Sequence, residues 1–154
     1  MSKVKKKSKV LAVSSGGGHW IQLLRLRPAF ENCSCTYVSV QSDYRDAVVP
    51  DQFYLVPDAN RETKFALLIA TLKILFIVLK VRPDAIISTG AAHGYIAIRF
   101  GKLIGAKTMF IDSIANAAKL SMSGELAVNH ADVMLTQWPE LSDDMRIQYC
   151  GSVL

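Results

Sequence analysis

The chain has 154 residues and is 51% hydrophobic and 20% charged, which suits one globular domain with a substantial core and excludes a disordered or collagen-like protein. Its formal net charge of +5 comes from the first nine positions, which contain five of the 18 basic residues: Lys3, Lys5, Lys6, Lys7 and Lys9. Residues 10–154 carry 13 basic and 13 acidic side chains, so they form a neutral domain behind a basic tail, residues 1–9. A neutral domain argues against nucleic-acid binding, which needs basic residues spread over a face of the fold.

Short apolar runs rich in β-branched residues alternate along the chain with longer segments of helical periodicity. The runs predict strands over Lys9–Ser14, Thr36–Val40, Phe53–Val56, Asp84–Ser88, Lys107–Ile111, Val133–Thr136 and Ile147–Tyr149. The longer segments predict helices over His19–Phe30, Glu62–Val81, Gly94–Ile104 and Ser123–His130. This alternation is typical of an α/β protein, in which a doubly wound parallel sheet carries helices on both faces.

A glycine-rich turn follows the first predicted strand and consists of Ser15, Gly16, Gly17 and Gly18, with His19 at the start of the helix. Glycines let backbone N–H groups approach an anion closely, and a helix N-terminus adds a positive dipole. The turn therefore predicts an anion-binding loop, in which His19 pairs with a phosphate or acts as a base. The alternatives are a tight turn whose glycines serve only geometry and a histidine that merely caps the helix.

A second loop of small residues, with Thr89 and Gly90 at its centre, follows the fourth predicted strand. Because the carboxyl ends of parallel strands share one rim of the sheet, the two loops together predict a site for a diphosphate or a sugar hydroxyl. For His93, in the same loop, we favour a solvent-facing position. Asp112 and Ser113 end the fifth strand, where the acid can bind sugar hydroxyls, act as a base or only cap the next turn.

The segment Phe65–Leu79 is apolar except for Thr71 and Lys73. As a helix of about 22 Å it is shorter than the ~30 Å hydrocarbon core of a bilayer, so we do not expect it to span a membrane. It is either a core crossover helix or a helix in the membrane interface, and the two alternatives can coexist. The residues predicted to meet the membrane are Phe65, Leu68, Leu72, Lys73, Phe76 and Lys80. The basic tail either holds the domain at an anionic leaflet or only improves solubility.

The three cysteines, Cys33, Cys35 and Cys150, have neither disulfide nor metal-ligand spacing and are predicted to be free thiols. No cluster of histidines and acids has metal-ligand spacing either, so we expect neither metal nor cofactor. The N-terminal residues lack the apolar core and cleavage site of a signal peptide. We therefore expect the chain in the cytoplasm, either free or held at a membrane surface.

Several motifs together resemble the Alg-fourteen-like family. They are Gly16-Gly17-Gly18-His19, Arg82-Pro83-Asp84, Ser88-Thr89-Gly90, Gly105-Ala106-Lys107-Thr108, Leu120-Ser121-Met122-Ser123-Gly124, Ala131-Asp132 and Gln137-Trp138-Pro139-Glu140. Asp112 departs from the pattern, in which glutamate is usual. The resemblance implies a Rossmann-like lobe equivalent to the N-terminal domain of a GT-B glycosyltransferase.

The resemblance further implies an accessory, membrane-recruiting subunit of a two-component transferase. An Alg-thirteen-like catalytic chain would hold most of the site for UDP-GlcNAc or UDP-galactose, and the acceptor would be a polyprenyl-diphosphate-linked saccharide at the cytoplasmic face of the inner membrane. Since a GT-B enzyme needs two lobes and 154 residues provide one, we expect no transferase activity from this chain alone. The alternative function is a self-contained nucleotide-sugar-binding protein or enzyme.

Overall fold

In the computed structural model, which describes residues 6–143 and 145–153, seven parallel strands form one sheet. Lys3 and Lys5 of the predicted tail lie outside the described residues. The strands are β1 Lys9–Val13, β2 Ser34–Ser39, β3 Gln52–Leu55, β4 Ala85–Ser88, β5 Lys107–Ile111, β6 Val133–Thr136 and β7 Ile147–Tyr149. The helices are α1 Gly18–Arg25, α2 Lys64–Val81, α3 Ala91–Leu103 and α4 Met122–Ala127, and the α/β prediction is confirmed.

The strand order β3-β2-β1-β4-β5-β6-β7 places the first and fourth strands side by side near the middle of the sheet. The register runs from Val10 opposite Ala85 to Val13 opposite Ser88. From β1 the chain winds outward to β3, crosses back through α2 to β4, and then winds outward in the other direction. The loops after β1 and β4 therefore leave the sheet side by side in opposite directions, which opens a crevice between them.

The sheet separates two hydrophobic cores. Helices α2, α3 and α4 cover one face, where Leu11, Ile86 and Phe110 are fully buried. Helix α1 and a 3₁₀ turn, Arg27–Phe30, cover the other face around Trp20. Burial on both faces explains why the central strands are nearly continuous apolar runs rather than alternating ones.

The largest difference from the sequence prediction is at the end of α1, which stops at Arg25 rather than at Phe30, where a 3₁₀ turn containing Pro28 follows. Helix α3 begins at Ala91 rather than at Gly94, which brings His93 inside its first turn. A 3₁₀ segment, Ser42–Val48, was not predicted because its residues show no periodicity. Gly105, which follows the end of α3, has a left-handed backbone, with φ of +78°.

Helix α3 lies unusually close to the sheet because of its glycines. A Cβ atom on Gly94 would lie 1.7 Å from Ser88 Oγ, and one on Gly101 would lie 2.5 Å from Ile86 Cδ1. No real Cβ atom tolerates such distances. The glycines therefore determine how far the N-terminus of α3 reaches into the crevice.

Gly94→Ala is expected to lower the free energy of unfolding by about 1–3 kcal/mol, because the added methyl group overpacks the contact between α3 and β4. Gly18→Ala is the matched control, since its Cβ would have Gln22 Nε2 as nearest atom at 3.9 Å. Urea denaturation measures both variants. Equal midpoints for the two would contradict the close packing at Gly94.

Candidate functional site

The loops after β1 and β4 are joined by two reciprocal hydrogen bonds between His19 and Thr89. His19 Nδ1 donates to the Thr89 carbonyl oxygen at 2.9 Å, and Thr89 Oγ1 donates to the His19 carbonyl oxygen at 2.6 Å. Because a carbonyl oxygen only accepts, the neutral ring carries its proton on Nδ1. Nε2 is then a free acceptor, and the ring lines the largest cleft of the described residues.

The backbone around Gly90 is shaped to admit the imidazole of His19. Gly90 has φ of +133°, and a Cβ atom there would lie 2.5 Å from His19 Nδ1. The next residue, Ala91, has φ of +61°, a left-handed conformation that is costly for a residue other than glycine. No side chain of the described residues caps α3 at Gly90. The amide groups of the first turn of α3 are therefore available to an anionic ligand.

The glycine-rich loop is held by a tyrosine that the sequence did not single out. Gly17 N–H donates to the Tyr44 hydroxyl at 2.9 Å, and the Tyr44 ring stacks on Trp20 with 4.6 Å between the centroids. Tyr44 lies in the unpredicted 3₁₀ segment Ser42–Val48, so no periodic signal marked it. Gly17 has φ of +63° and precedes α1, whose N-terminus has no side-chain cap within the described chain.

The remaining residues of this loop differ in exposure. Ser15 and Gly16 are half-buried, and Gly17 and Gly18 are exposed. The Ser15 carbonyl oxygen accepts a hydrogen bond from Ser39 Oγ at 3.1 Å, which anchors the loop to β2. The exposed glycines thus occupy the rim beside the crevice, where we predict an anion-binding loop.

Asp112 is buried and holds the loop that leads into α4. Its carboxylate accepts hydrogen bonds from Ser121 N–H at 2.8 Å and from Ser121 Oγ at 2.6 Å. Ser121 Oγ in turn accepts the N–H of Gly124 and caps α4. Asp112 thus makes the capping contacts that were one of its predicted roles. Ser113 does line the cleft, where its hydroxyl accepts a bond from Gln22 Nε2 at 3.3 Å.

The expected solvent-facing position of His93 is wrong. The ring is fully buried in the first turn of α3, because that helix begins three residues earlier than predicted. Its Nε2 donates to the Pro57 carbonyl oxygen at 2.8 Å, and its Nδ1 has no partner among the described residues. His93 thereby ties the connection between β3 and α2 to the crevice, and residues 59–62 of that connection line the cleft.

The cleft has a volume of about 810 Å³ and lies between the N-terminal halves of α2, α3 and α4. Two of the predicted site residues, His19 and Ser113, stand at its inner end, while most of the rest of its surface is apolar. Within the described part of the chain, no group of three or more histidine, cysteine or acidic side chains is arranged to hold a metal ion.

Helix α2 has a buried face and an exposed apolar face. Ala70, Ile74, Ile77 and Val78 pack on the sheet. The exposed apolar face is formed by five side chains with 51–76% of their surface accessible: Phe65, Leu68, Leu72, Phe76 and Leu79. Lys73 and Lys80 are exposed beside it. No helix of the described residues is both long enough and apolar enough to cross a bilayer.

Residues 55–153, more than half of the chain, match the family described as "Oligosaccharide biosynthesis protein Alg14 like". The chain belongs to this family. The match includes the second loop, α2, Asp112 and the Ser121–Gly124 cap, whereas the glycine-rich loop precedes it. Membership agrees with the resemblance found from the sequence motifs.

Two fungal relatives are similar to part of this chain. The UDP-N-acetylglucosamine transferase subunit ALG14 of Yarrowia lipolytica is 30% identical over 82 residues, which cover 49% of this chain and 38% of the relative. The corresponding subunit of Schizosaccharomyces pombe is 33% identical over 79 residues, which cover 46% of this chain and 37% of the relative. The matched region is thus well under half of each relative's length.

Among solved structures, Acinetobacter baumannii MurG superposes with a TM-score of 0.76 at 15% sequence identity. The superposition covers 94% of this chain and 46% of MurG. At that identity the likeness concerns the fold alone. The chain therefore has the Rossmann-like fold of one lobe of a GT-B protein, as the sequence motifs predicted.

Tyr44→Phe is expected to increase the exchange rate of the Gly17 amide hydrogen, because the substitution removes the only acceptor that the described residues offer it. The Phe ring keeps the stacking on Trp20, so the melting temperature should change little. Hydrogen exchange followed by NMR measures the rate, with Tyr149→Phe, at the far edge of the sheet, as control. Equal exchange at Gly17 in the two variants would show that Tyr44 does not hold the loop.

Proposed function

We propose that this chain is the acceptor-side, membrane-recruiting subunit of a two-component UDP-sugar glycosyltransferase. The transferase would move GlcNAc or galactose from UDP to a polyprenyl-diphosphate-linked saccharide. One observation carries the proposal: a chain of the Alg14-like family joins two uncapped helix N-termini through His19 and Thr89 at the strand-order switch of its sheet.

The diphosphate of the acceptor is assigned to the first turns of α1 and α3. Both turns leave backbone N–H groups without side-chain caps and carry the positive end of a helix dipole. Ser15, Gly16, Gly17 and Gly18 frame one turn, and Thr89 and Gly90 frame the other. Ser113 lines the same cleft, and its hydroxyl is assigned to a sugar hydroxyl of the acceptor. Asp112 is buried behind it with its carboxylate hydrogen-bonded to Ser121, so its part in this assignment is to hold the loop before α4.

His19 is the candidate catalytic residue. With its Nδ1 proton donated to Thr89, its Nε2 can accept the proton of the acceptor hydroxyl as that oxygen attacks the anomeric carbon of the UDP-sugar. The bond from the anomeric carbon to the UDP oxygen breaks at the same time, so UDP leaves and the configuration inverts. Charged by the proton, the imidazolium is also suited to pair with the acceptor phosphate.

The partner is assigned as an Alg-thirteen-like catalytic chain that supplies most of the UDP-sugar site. A half-open sheet face supports the need for a second chain. Ile87, Met109, Val133 and Leu135 are only half-buried there, whereas residues on the opposite face of the same strands, such as Ile86, are buried. Both fungal relatives are transferase subunits by name, which agrees with this assignment.

The membrane contact is assigned to the exposed apolar face of α2. Five large apolar side chains on one 18-residue helix form a surface that is unusual for a protein in water. Lys80 lies 5.9 Å from the Phe76 ring centroid and 5.4 Å from that of Tyr54, so its stem follows the apolar surface. Together with Lys73 it can meet anionic headgroups at the cytoplasmic face of the membrane.

His19→Ala is expected to reduce transfer by the two-chain complex about 10²–10⁴-fold, because the general base is removed. The variant should still copurify with the catalytic chain. The assay coexpresses this chain with an Alg-thirteen-like catalytic chain from the same organism and follows transfer from UDP-GlcNAc and UDP-galactose. His130→Ala is the control, since that ring lies outside the cleft.

Three outcomes of this assay contradict the proposal. Equal activity of the partner with and without this chain would rule out a subunit role. Transfer by this chain alone, or its tight binding of UDP, would instead support the self-contained enzyme or binding protein. Full activity of His19→Ala would show that the chain has no chemical role and acts only as a membrane adaptor.

Leu72→Glu with Phe76→Glu is expected to reduce vesicle binding by more than tenfold. Each apolar side chain removed from the interface costs about 1.5–3 kcal/mol of binding free energy when its burial is complete. About 1.4 kcal/mol corresponds to a tenfold change in the dissociation constant. Cosedimentation with vesicles of equal parts phosphatidylcholine and phosphatidylglycerol measures the bound fraction. Ile21→Glu, at a position 53% exposed on α1, is the matched control. If both variants sediment alike, this face of α2 does not bind the membrane.

A further inference from the structure

The cleft at His19 continues as an apolar groove across the outer surface of α3. The groove is lined by side chains from three helices: Ala92, Tyr95 and Ile96 of α3 on its floor, Leu67 and Thr71 of α2 on one wall, and Met122 and Leu126 of α4 on the other. Its volume of about 810 Å³ is in the range of ~300–1,000 Å³ usual for small-molecule sites. Neither the diphosphate nor the sugar hydroxyls of the proposed acceptor require this apolar surface.

The groove is continuous with the exposed apolar face of α2. Leu67 and Thr71 face the groove, and the residues that follow them, Leu68 and Leu72, are more than half exposed on that face. Residues three or four apart are neighbours on the surface of a helix, so Thr71 of the wall adjoins Leu68 of the exposed face. An apolar chain leaving the groove across α2 would therefore remain on apolar surface.

The groove is lined by groups of two kinds. His19, Ser113 and the first turn of α3 can bind an anionic or hydroxyl-bearing group, and Arg61 and Glu62 add two charged side chains. Tyr95, Ile96 and Leu126 supply apolar surface. This distribution fits an amphiphile with an anionic head and a hydrocarbon tail, and a water-soluble nucleotide sugar would leave the apolar part unused.

We propose that the groove binds the first isoprene units of the acceptor's hydrocarbon chain and directs the rest of the chain over α2 into the bilayer. The inference rests on the proposed function, because it takes the acceptor to be a prenyl diphosphate. It adds a lipid-binding site within the protein to the membrane contact. The acceptor is then recognised by its chain as well as by its diphosphate.

Calorimetry of the full chain with a series of soluble ligands tests this site. The series is inorganic pyrophosphate, isopentenyl diphosphate, geranyl diphosphate and the unbranched decyl diphosphate. Geranyl diphosphate is expected to bind at least about tenfold more tightly than pyrophosphate, because its chain leaves water for the groove. Decyl diphosphate should bind more weakly than geranyl diphosphate.

Thr71→Phe is expected to abolish the gain from the geranyl chain and to leave pyrophosphate binding unchanged, because the added ring fills the groove and Thr71 lies on α2, away from the first turn of α3. Leu126→Asp, at a position 47% exposed, is a second variant that does not disturb the core, and it should weaken geranyl diphosphate in the same way. Ala29→Phe, exposed on the opposite side of the sheet, is the matched control.

The outcomes separate this inference from the proposed function. Equal affinity for geranyl diphosphate and pyrophosphate would contradict lipid binding in the groove and leave the diphosphate role intact. The same conclusion follows if both groove variants keep the higher affinity for geranyl diphosphate. Equal affinity for the decyl and geranyl compounds would overturn the isoprenoid assignment in favour of any alkyl lipid. Absence of binding throughout the series would contradict both proposals.

Discussion

The site depends on the two hydrogen bonds that join His19 to Thr89 across the crevice of the sheet. They are possible only because β1 and β4 are neighbours, which places two loops that are 70 residues apart in sequence at hydrogen-bond distance. They also determine the chemistry of the imidazole. In the neutral ring, donation through Nδ1 leaves Nε2 unprotonated, whereas a ring that capped its own helix would accept a backbone N–H at one nitrogen and carry its proton on the other.

The same two hydrogen bonds require α3 to lie deep on the sheet. Gly90 leaves room for the His19 ring, and Gly94 and Gly101 let the helix approach Ser88 and Ile86 more closely than any larger residue would allow. Because α3 is lowered between α2 and α4, its outer surface becomes the floor of a groove. The glycines of this helix therefore shape both the anionic end and the apolar part of the cleft.

The fold was predictable from the sequence because its signals are local. The short apolar runs located all seven strands of the sheet, as for Lys107–Ile111, whose predicted bounds match the structure. The site was only partly predictable. His19 and Thr89 stand beside conspicuous glycines, but their mutual contact depends on strand order, which no single segment encodes.

The residues missed by sequence reasoning lack a local signal of their own. Tyr44 lies in an aperiodic 3₁₀ segment, and its contact with Gly17 depends on the packing of that segment over α1. His93 was misplaced because Ala91 adopts a left-handed conformation that its type does not suggest, so the start of α3 was set too late. The surrounding packing holds the backbone in such a strained conformation, so the type of the residue alone does not predict it.

Helix α2 shows why an apolar sequence is ambiguous and how the fold resolves it. Apolar residues on all sides of a helix normally mean burial on all sides, yet among the described elements the main neighbours of this helix are the sheet and α3. The apolar character of Ile74 and Val78 is explained by their burial in the core, whereas Phe65 and Phe76 are exposed. Cohesion of the domain does not require these exposed side chains, and the proposed function gives them a contact outside the chain. Under that proposal a bilayer fits this face better than a protein surface, because it offers the acceptor lipid a continuous apolar path from the groove.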